Sequence, residues 1–221
     1  MTAFLLLHPP LLGPAVWAPC AEVLRAAGHQ VAVPDLRPAV EPPTHWYDRA
    51  TTLAASAARS APDGALVVAA HSGAGLLLPL VVDRVGAATA VFVDALMPGR
   101  PTSDRFADFL AGLPVTDGRL PRWSEWWGPQ EMAELIPDAE LLARIEADQP
   151  RLPVAFYAEQ VPVPSSWPPP RVGYLQLSPA YEADAAEARE HGWPVRTRPG
   201  MHLDLATSPA EVAAEILILA T

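Results

Sequence analysis

The stretch from Ala65 to Leu78, ALVVAAHSGAGLLL, runs an uncharged apolar segment straight into a serine and then into a glycine-rich helix start. A chain that turns this sharply from strand to helix lifts the residue at the corner clear of the sheet and aims the next backbone N–H groups at the same space. Ser72 is that corner residue, within Ala70-His71-Ser72-Gly73-Ala74. Alanine stands at both positions where a G-x-S-x-G turn carries glycine, and a side chain larger than methyl would crowd the turn there. On this stretch alone Ser72 also reads as a plain helix N-cap, a position serine favours. The uncharged run from Gly64 to Val82 has the length of a membrane span, but His71, Ser72, two glycines and Pro79 interrupt it, so a strand followed by a helix is the better reading.

Around this corner, short apolar runs alternate with helical segments, the pattern of parallel βαβ units. Six strands are expected, at Phe4 to Leu7, Gln30 to Val33, Ala65 to Ala69, Ala90 to Val93, Val172 to Leu177 and Val195 to Arg198. Most are continuously apolar, as strands buried on both faces are. Helices fit Trp17 to Ala27, His45 to Arg59, Gly73 to Val85, Tyr181 to Glu190 and Pro209 to Leu219. The last has a capping serine at Ser208, proline at its first position and Glu211 at the third. Between Pro98 and Pro170 the alternation gives way to a proline-rich segment with short helices at Asp104 to Ala111 and Ala139 to Ala147. It reads as a small helical cap inserted in a single domain spanning residues 1–221. Such an insertion lies over the carboxyl ends of the strands, where open α/β sheets bind ligands. Trp123, Trp126 and Trp127 within it are candidates for an apolar substrate pocket, or equally for anchors that hold the cap to the body.

A net charge of −10 argues against nucleic acid and anionic membrane surfaces and for a small-molecule substrate. The single cysteine, Cys20, excludes an intrachain disulfide and fits a reducing compartment. The amino-terminal segment lacks the basic start of a signal peptide, so a cytoplasmic location is expected. No metal or cofactor motif is present in the sequence.

A serine hydroxyl attacks at neutral pH only with a base in hydrogen-bond reach and a carboxylate to orient that base. His202, in Pro199-Gly200-Met201-His202 directly after the last strand, is the candidate base. His71 neighbours the serine but points elsewhere on a sharp turn and reads as a support for it; His8 reads as a brace for the loop after the first strand. Asp94 ends the fourth strand and is the candidate acid, since an ionised group closing an apolar strand is costly without a partner. Glu182 and Asp184, after the fifth strand, compete for that role but fall on a helix expected to expose them. The order Ser72, Asp94, His202 is that of α/β-hydrolase triads.

Four segments carry a resemblance over nearly the whole chain. They are LLLHPPLLGPAVW (Leu5 to Trp17) followed by a helix and Val-Pro-Asp35-Leu, Ala70-His71-Ser72-Gly73, Val-Phe-Val-Asp94-Ala-Leu-Met-Pro98, and Gly200-Met-His202-Leu. In this order they resemble the α/β-hydrolases, and within them the branch of plant methylesterases, hydroxynitrile lyases and bacterial relatives. The resemblance implies an α/β fold with a mostly parallel sheet, Ser72 as nucleophile, His202 as base and, where no acid follows the later strand, Asp94 as its partner. This chain has Ser178-Pro179-Ala180 where that later acid would stand. It also implies an oxyanion hole from the Gly73 N–H and a second N–H in His8-Pro9-Pro10-Leu11. That second position falls on Pro10, which has no N–H, leaving Leu11 as the candidate donor.

The expected activity is hydrolysis of a small apolar ester, thioester or lactone through an acyl-enzyme. A lyase or cyclase that uses the same residues for proton transfer alone is the second reading, and a catalytically inert binding protein on the same fold the third.

Overall fold

The computed structural model describes residues 2–59 and 66–221. Six parallel strands form one sheet: β1 (Ala3–Leu7), β2 (Gln30–Ala32), β3 (Leu66–Ser72), β4 (Thr89–Ala95), β5 (Arg171–Gln176) and β6 (Val195–Thr197). The expected start of the third strand at Ala65 lies outside the described residues. Strand order is β2-β1-β3-β4-β5-β6, so the chain steps outward from β1 to β2 and then returns to β1's other side. Reversals of this kind open a crevice at the carboxyl ends of the two central strands. Those ends are the loop after Leu7 and the corner at Ser72.

Successive strand residues serve opposite faces, as the pleat requires. Leu5, Leu7, Val68, Ala70, Phe92 and Tyr174 belong to one core cluster, and Phe4, Leu6, Val67, Ala69, Val91 and Leu175 to the other. The second face is covered by α1 (Ala18–Ala26) through Cys20, Ala21 and Leu24. The first is covered by α2 (Trp46–Ala58) and α3 (Leu78–Val85). Trp17 is fully buried beside α1, and its indole N–H donates to the Leu7 carbonyl at 3.0 Å. The end of β1 is thereby tied to the helix that follows it.

Between β4 and β5 come α4 (Asp104–Ala111), α5 (Pro129–Leu135) and α6 (Ala139–Ala147). Leu110, Leu120, Leu152 and Phe156 of this segment join the first cluster, and Met132, Ile136, Leu141 and Ile145 the second. The insertion is therefore packed against both faces of the body. After β5 follows α7 (Glu182–Glu190), and after β6 a short α8 (Asp204–Thr207) leads into α9 (Pro209–Leu219).

Two local expectations change. The expected helix from Gly73 begins as a 3-10 turn, Gly73–Leu77, and becomes α-helical only at Leu78. Gly75 lets this turn lie close against β4: a Cβ there would collide with the Leu96 carbonyl oxygen and lie 3.1 Å from the Ala95 Cβ. The corner is pressed directly on the end of β4. Ser208 starts α9, but its side chain caps nothing. α8 runs straight into α9, and Ser208 between them has φ −130° and ψ 52°, away from the extended backbone that aims a capping side chain at the first free N–H groups of a helix.

Candidate active site

Ser72 is the last residue of β3, with φ 54° and ψ −130°, a conformation that costs a non-glycine residue on the order of 1–3 kcal/mol. The cost is carried by the surrounding sheet, where the Ser72 carbonyl accepts from the Leu96 N–H at 3.1 Å. Across the ladder His71 pairs with Val93 but Ser72 pairs with Ala95, so Asp94 is an extra residue on β4. It too has positive φ, 43°. A bulge of this kind re-aims a side chain, here the only carboxylate on the strand.

The carboxylate of Asp94 is fully buried and fully paired. Oδ1 accepts from the Leu177 N–H at 2.8 Å and the Ser178 N–H at 2.9 Å; Oδ2 accepts from the Ser178 hydroxyl at 2.6 Å and from His202 Nδ1 at 2.7 Å. Four donors meet the desolvation cost of the charge. They also fix the histidine tautomer: with Nδ1–H directed at Asp94, Nε2 is left with its lone pair, the form a general base needs.

His71 is wholly buried and its Nε2–H donates to the His202 carbonyl at 3.0 Å. Its ring lies 4.5 Å from the His202 ring, centroid to centroid. Burial, reinforced by His202, drives its pKa well below the ordinary histidine value, so it is a neutral support for the base's backbone. His8 is buried as well, with Nδ1–H directed at the Pro9 carbonyl (3.0 Å) and Nε2 accepting from the Leu36 N–H (2.9 Å). It pins the loop after β1 to the segment after β2, and burial lowers its pKa.

That loop turns at Pro10: the Leu12 N–H bonds the Pro9 carbonyl at 3.1 Å, and a Cβ on Gly73 would sit 3.3 Å from the proline's Cδ. Pro10 thus rests against the corner. Among the described residues the N–H groups of Leu11 and Gly73 have no hydrogen-bond partner.

The Ser72 hydroxyl bonds a residue that the sequence did not single out. Its Oγ lies 2.9 Å from the Tyr181 hydroxyl, its one hydrogen-bond partner among the described residues. The Tyr181 ring stacks on His202, with centroids 4.9 Å apart and planes within 8°. Tyr181 closes a 3-10 turn, Pro179–Tyr181, that begins beside Ser178. Its place two residues after the Ser-Pro step, where an acid was sought, was the signal available.

Of the competing acids, Glu182 is exposed and engaged with Gln176 at 2.8 Å and Arg189 at 3.0 Å. Asp184 is buried, contrary to the exposure expected of it. It accepts from the Met97 N–H at 2.8 Å, because α7 packs this face against the chain leaving β4. Trp126 donates its indole N–H to the Pro121 carbonyl (3.1 Å) and packs on Phe106 and Phe109. Trp123 packs on the second core cluster, and Trp127 is 45% exposed against Phe109. These are the contacts of anchors within the insertion. Among the described residues no group of three or more His, Cys, Asp or Glu side chains could hold a metal ion, and no helix is long and apolar enough to cross a membrane.

No protein-family model and no curated protein matches the sequence. Solved structures do match the three-dimensional arrangement. Tomato methylketone synthase I complexed with 2-tridecanone is 17% identical with a TM-score of 0.73, over 99% of this chain and 97% of that one. The fold is that of the α/β-hydrolases. Polyneuridine aldehyde esterase superposes over all of both chains at 20% identity with a TM-score of 0.71. A pyrethroid hydrolase from Sphingobium faniae JZ-2 does so at 20% identity with a TM-score of 0.68, over 99% and 97% of the two chains. The neighbours include members of the methylesterase branch and bacterial hydrolases of the same α/β-hydrolase fold.

Proposed function

We propose that this α/β-hydrolase-fold chain, a single domain over residues 1–221 with its insertion at about 98–170, is a serine hydrolase of a small apolar ester, thioester or lactone. The observation that carries this reading is the buried Asp94 bonded to His202 Nδ1, beside a serine held at positive φ on the adjacent strand end. In the proposed cycle His202 Nε2 takes the Ser72 proton as Oγ bonds the acyl carbon. Asp94 stabilises the imidazolium that forms, without itself taking the proton. The tetrahedral oxyanion is received by the N–H groups of Gly73 and Leu11, both free of other partners among the described residues. His202 then protonates the leaving group, and water, activated by the same imidazole, releases the acid. Ser72 Oγ bonds Tyr181 and makes no hydrogen bond to His202 among the described residues, so the first step requires the hydroxyl to turn to the imidazole; triad hydrogen bonds are often looser before substrate arrives.

A fluorophosphonate should label Ser72 stoichiometrically, and Ser72→Ala should abolish labelling and ester turnover. A folded wild-type protein that resists labelling would remove the acyl-enzyme. Pro10 favours a second reading, a lyase or cyclase using the same groups for proton transfer alone, since a donor-poor oxyanion site suits chemistry without a tetrahedral intermediate. Turnover of cyanohydrins or of a cyclisation precursor, with esters untouched, would establish it. A cytoplasmic location is part of the proposal. Cys20 is buried with its thiol pushed up to about 12, a side chain that serves packing and asks for no oxidant. Fractionation of expressing cells tests this.

A further inference from the structure

The hydroxyl of Tyr181 lies 2.9 Å from the nucleophile, while its ring lies flat against the base. In the proposed hydrolysis one imidazole nitrogen must reach Ser72 Oγ first and the leaving oxygen afterwards. The leaving oxygen therefore occupies space next to both Oγ and the His202 ring, and that is the space the Tyr181 hydroxyl borders. We propose that Tyr181 is a catalytic hydrogen-bond donor to the leaving-group oxygen, an inference that rests on the hydrolase reading and deepens it.

The supporting geometry is independent of the Ser72 contact. The turn carrying Tyr181 starts at Ser178, whose N–H and hydroxyl are both bonded to Asp94, so the phenol is held in fixed relation to the Asp94–His202 pair. Its N–H bonds back to the Ser178 carbonyl at 3.4 Å. The donor also stays protonated: burial pushes the phenol's pKa up, and the nearby Asp94 and Asp184 carboxylates add to the rise. Tyr157, from the insertion, is half-buried, and burial together with the neighbouring Tyr181 pushes its pKa up as well. In the resting site the phenol and Ser72 satisfy one another. With substrate bound, Ser72 turns to His202 and the freed phenol meets the leaving oxygen. As the acyl C–O bond breaks, its electron pair passes to that oxygen, the imidazolium of His202 transfers its proton there, and Tyr181 contributes a hydrogen bond while keeping its own proton. The substrates favoured are those with poor alkoxide leaving groups, which gain most from such a donor.

The test compares the wild type with Tyr181→Phe, which keeps the ring and its stacking and removes the hydroxyl. Each is assayed on short alkyl butyrates and on p-nitrophenyl butyrate, whose leaving group needs little help. The expected result is a loss in kcat of about 10-fold to 100-fold on the alkyl esters. On the p-nitrophenyl ester, and in the rate of fluorophosphonate labelling, the loss should stay under about threefold, because neither nitrophenolate nor fluoride leaves with difficulty. An equal loss on all three would overturn the proposal in favour of a role in holding Ser72. A gain would overturn it in favour of a plug. If the wild type neither labels nor turns over any ester, the hydrolase reading fails and takes this one with it; labelling with a loss independent of the leaving group removes this one alone.

Discussion

Ser72 and Asp94 close neighbouring parallel strands, and both residues hold positive φ, at 54° and 43°. The strain at Ser72 comes from the corner itself, whereas that at Asp94 comes from one extra residue in the ladder. Together they turn two side chains out of the sheet at the same edge, Asp94 to His202, which arrives from beyond β6, and Ser72 to Tyr181. The price is stability.

That strain can be measured. Glycine adopts positive φ without a Cβ clash, so Ser72→Gly should be more stable than Ser72→Ala by about 1 kcal/mol. Urea unfolding of the two variants in one buffer checks this, and equal midpoints would mean that the corner is relaxed.

Asp94→Asn keeps the shape of the side chain but replaces one acceptor oxygen with a donor facing His202 and the Ser178 hydroxyl. Ester turnover should fall by about 10³-fold or more, as loss of the correct histidine tautomer does in other triads. Glu182→Gln should stay within about twofold of wild type, since that side chain is exposed and its partners among the described residues are Gln176 and Arg189. A large loss in the second variant and a small one in the first would move the acid to Glu182.

Gly75→Ala should destabilise the fold by about 3 kcal/mol or more, because the new methyl meets the Leu96 backbone oxygen, which has no free rotamer to retreat into. Guanidinium unfolding against wild type gives the number. A change below about 1 kcal/mol would mean that β4 can yield at this point.

Stability should also fall on mild acidification. Burial lowers the folded-state pKa of both His8 and His71 below 6.5. Below pH 6.5 the unfolded chain takes up protons at these sites that the folded chain does not, so unfolding is favoured as pH decreases. Above it both states are neutral there and the two residues contribute no slope. Two histidines that each bind one more proton in the unfolded chain set an upper limit of about 2.7 kcal/mol per pH unit, and the slope should lie between zero and that limit. Denaturation at pH 7.5, 6.5 and 5.5 follows it; a flat profile would show that neither histidine is held neutral.

The sheet was legible because buried parallel strands leave an unmistakable record: continuous apolar runs such as Ala90 to Val93 between helical segments. Ser72, Asp94 and His202 were legible as residues ending strands or following them, and the structure brings the last two into contact at 2.7 Å. What the sequence hid depends on side-chain direction. Asp184 looked solvent-facing because its helix, Glu182–Glu190, is mostly polar, yet one turn of it packs on the Met97 backbone. Tyr181 carried no motif; its closeness to Ser72 spans 109 residues and arises only when the turn after β5 folds over the end of β3. Ser208 had every local mark of a helix cap, but the short helix running into it leaves its backbone out of the extended conformation a cap uses.

The loop after β5 gives Asp94 three of its four donors, all from Leu177 and Ser178. Two of these are main-chain groups, which any sequence would provide. The ionised partner of His202 thus depends on the path of that loop more than on its composition. That path also sets the Tyr181 ring against His202, so a change in the loop's course would shift the acid's donors and the phenol together, whereas a new side chain at Leu177 would leave both main-chain donors in place.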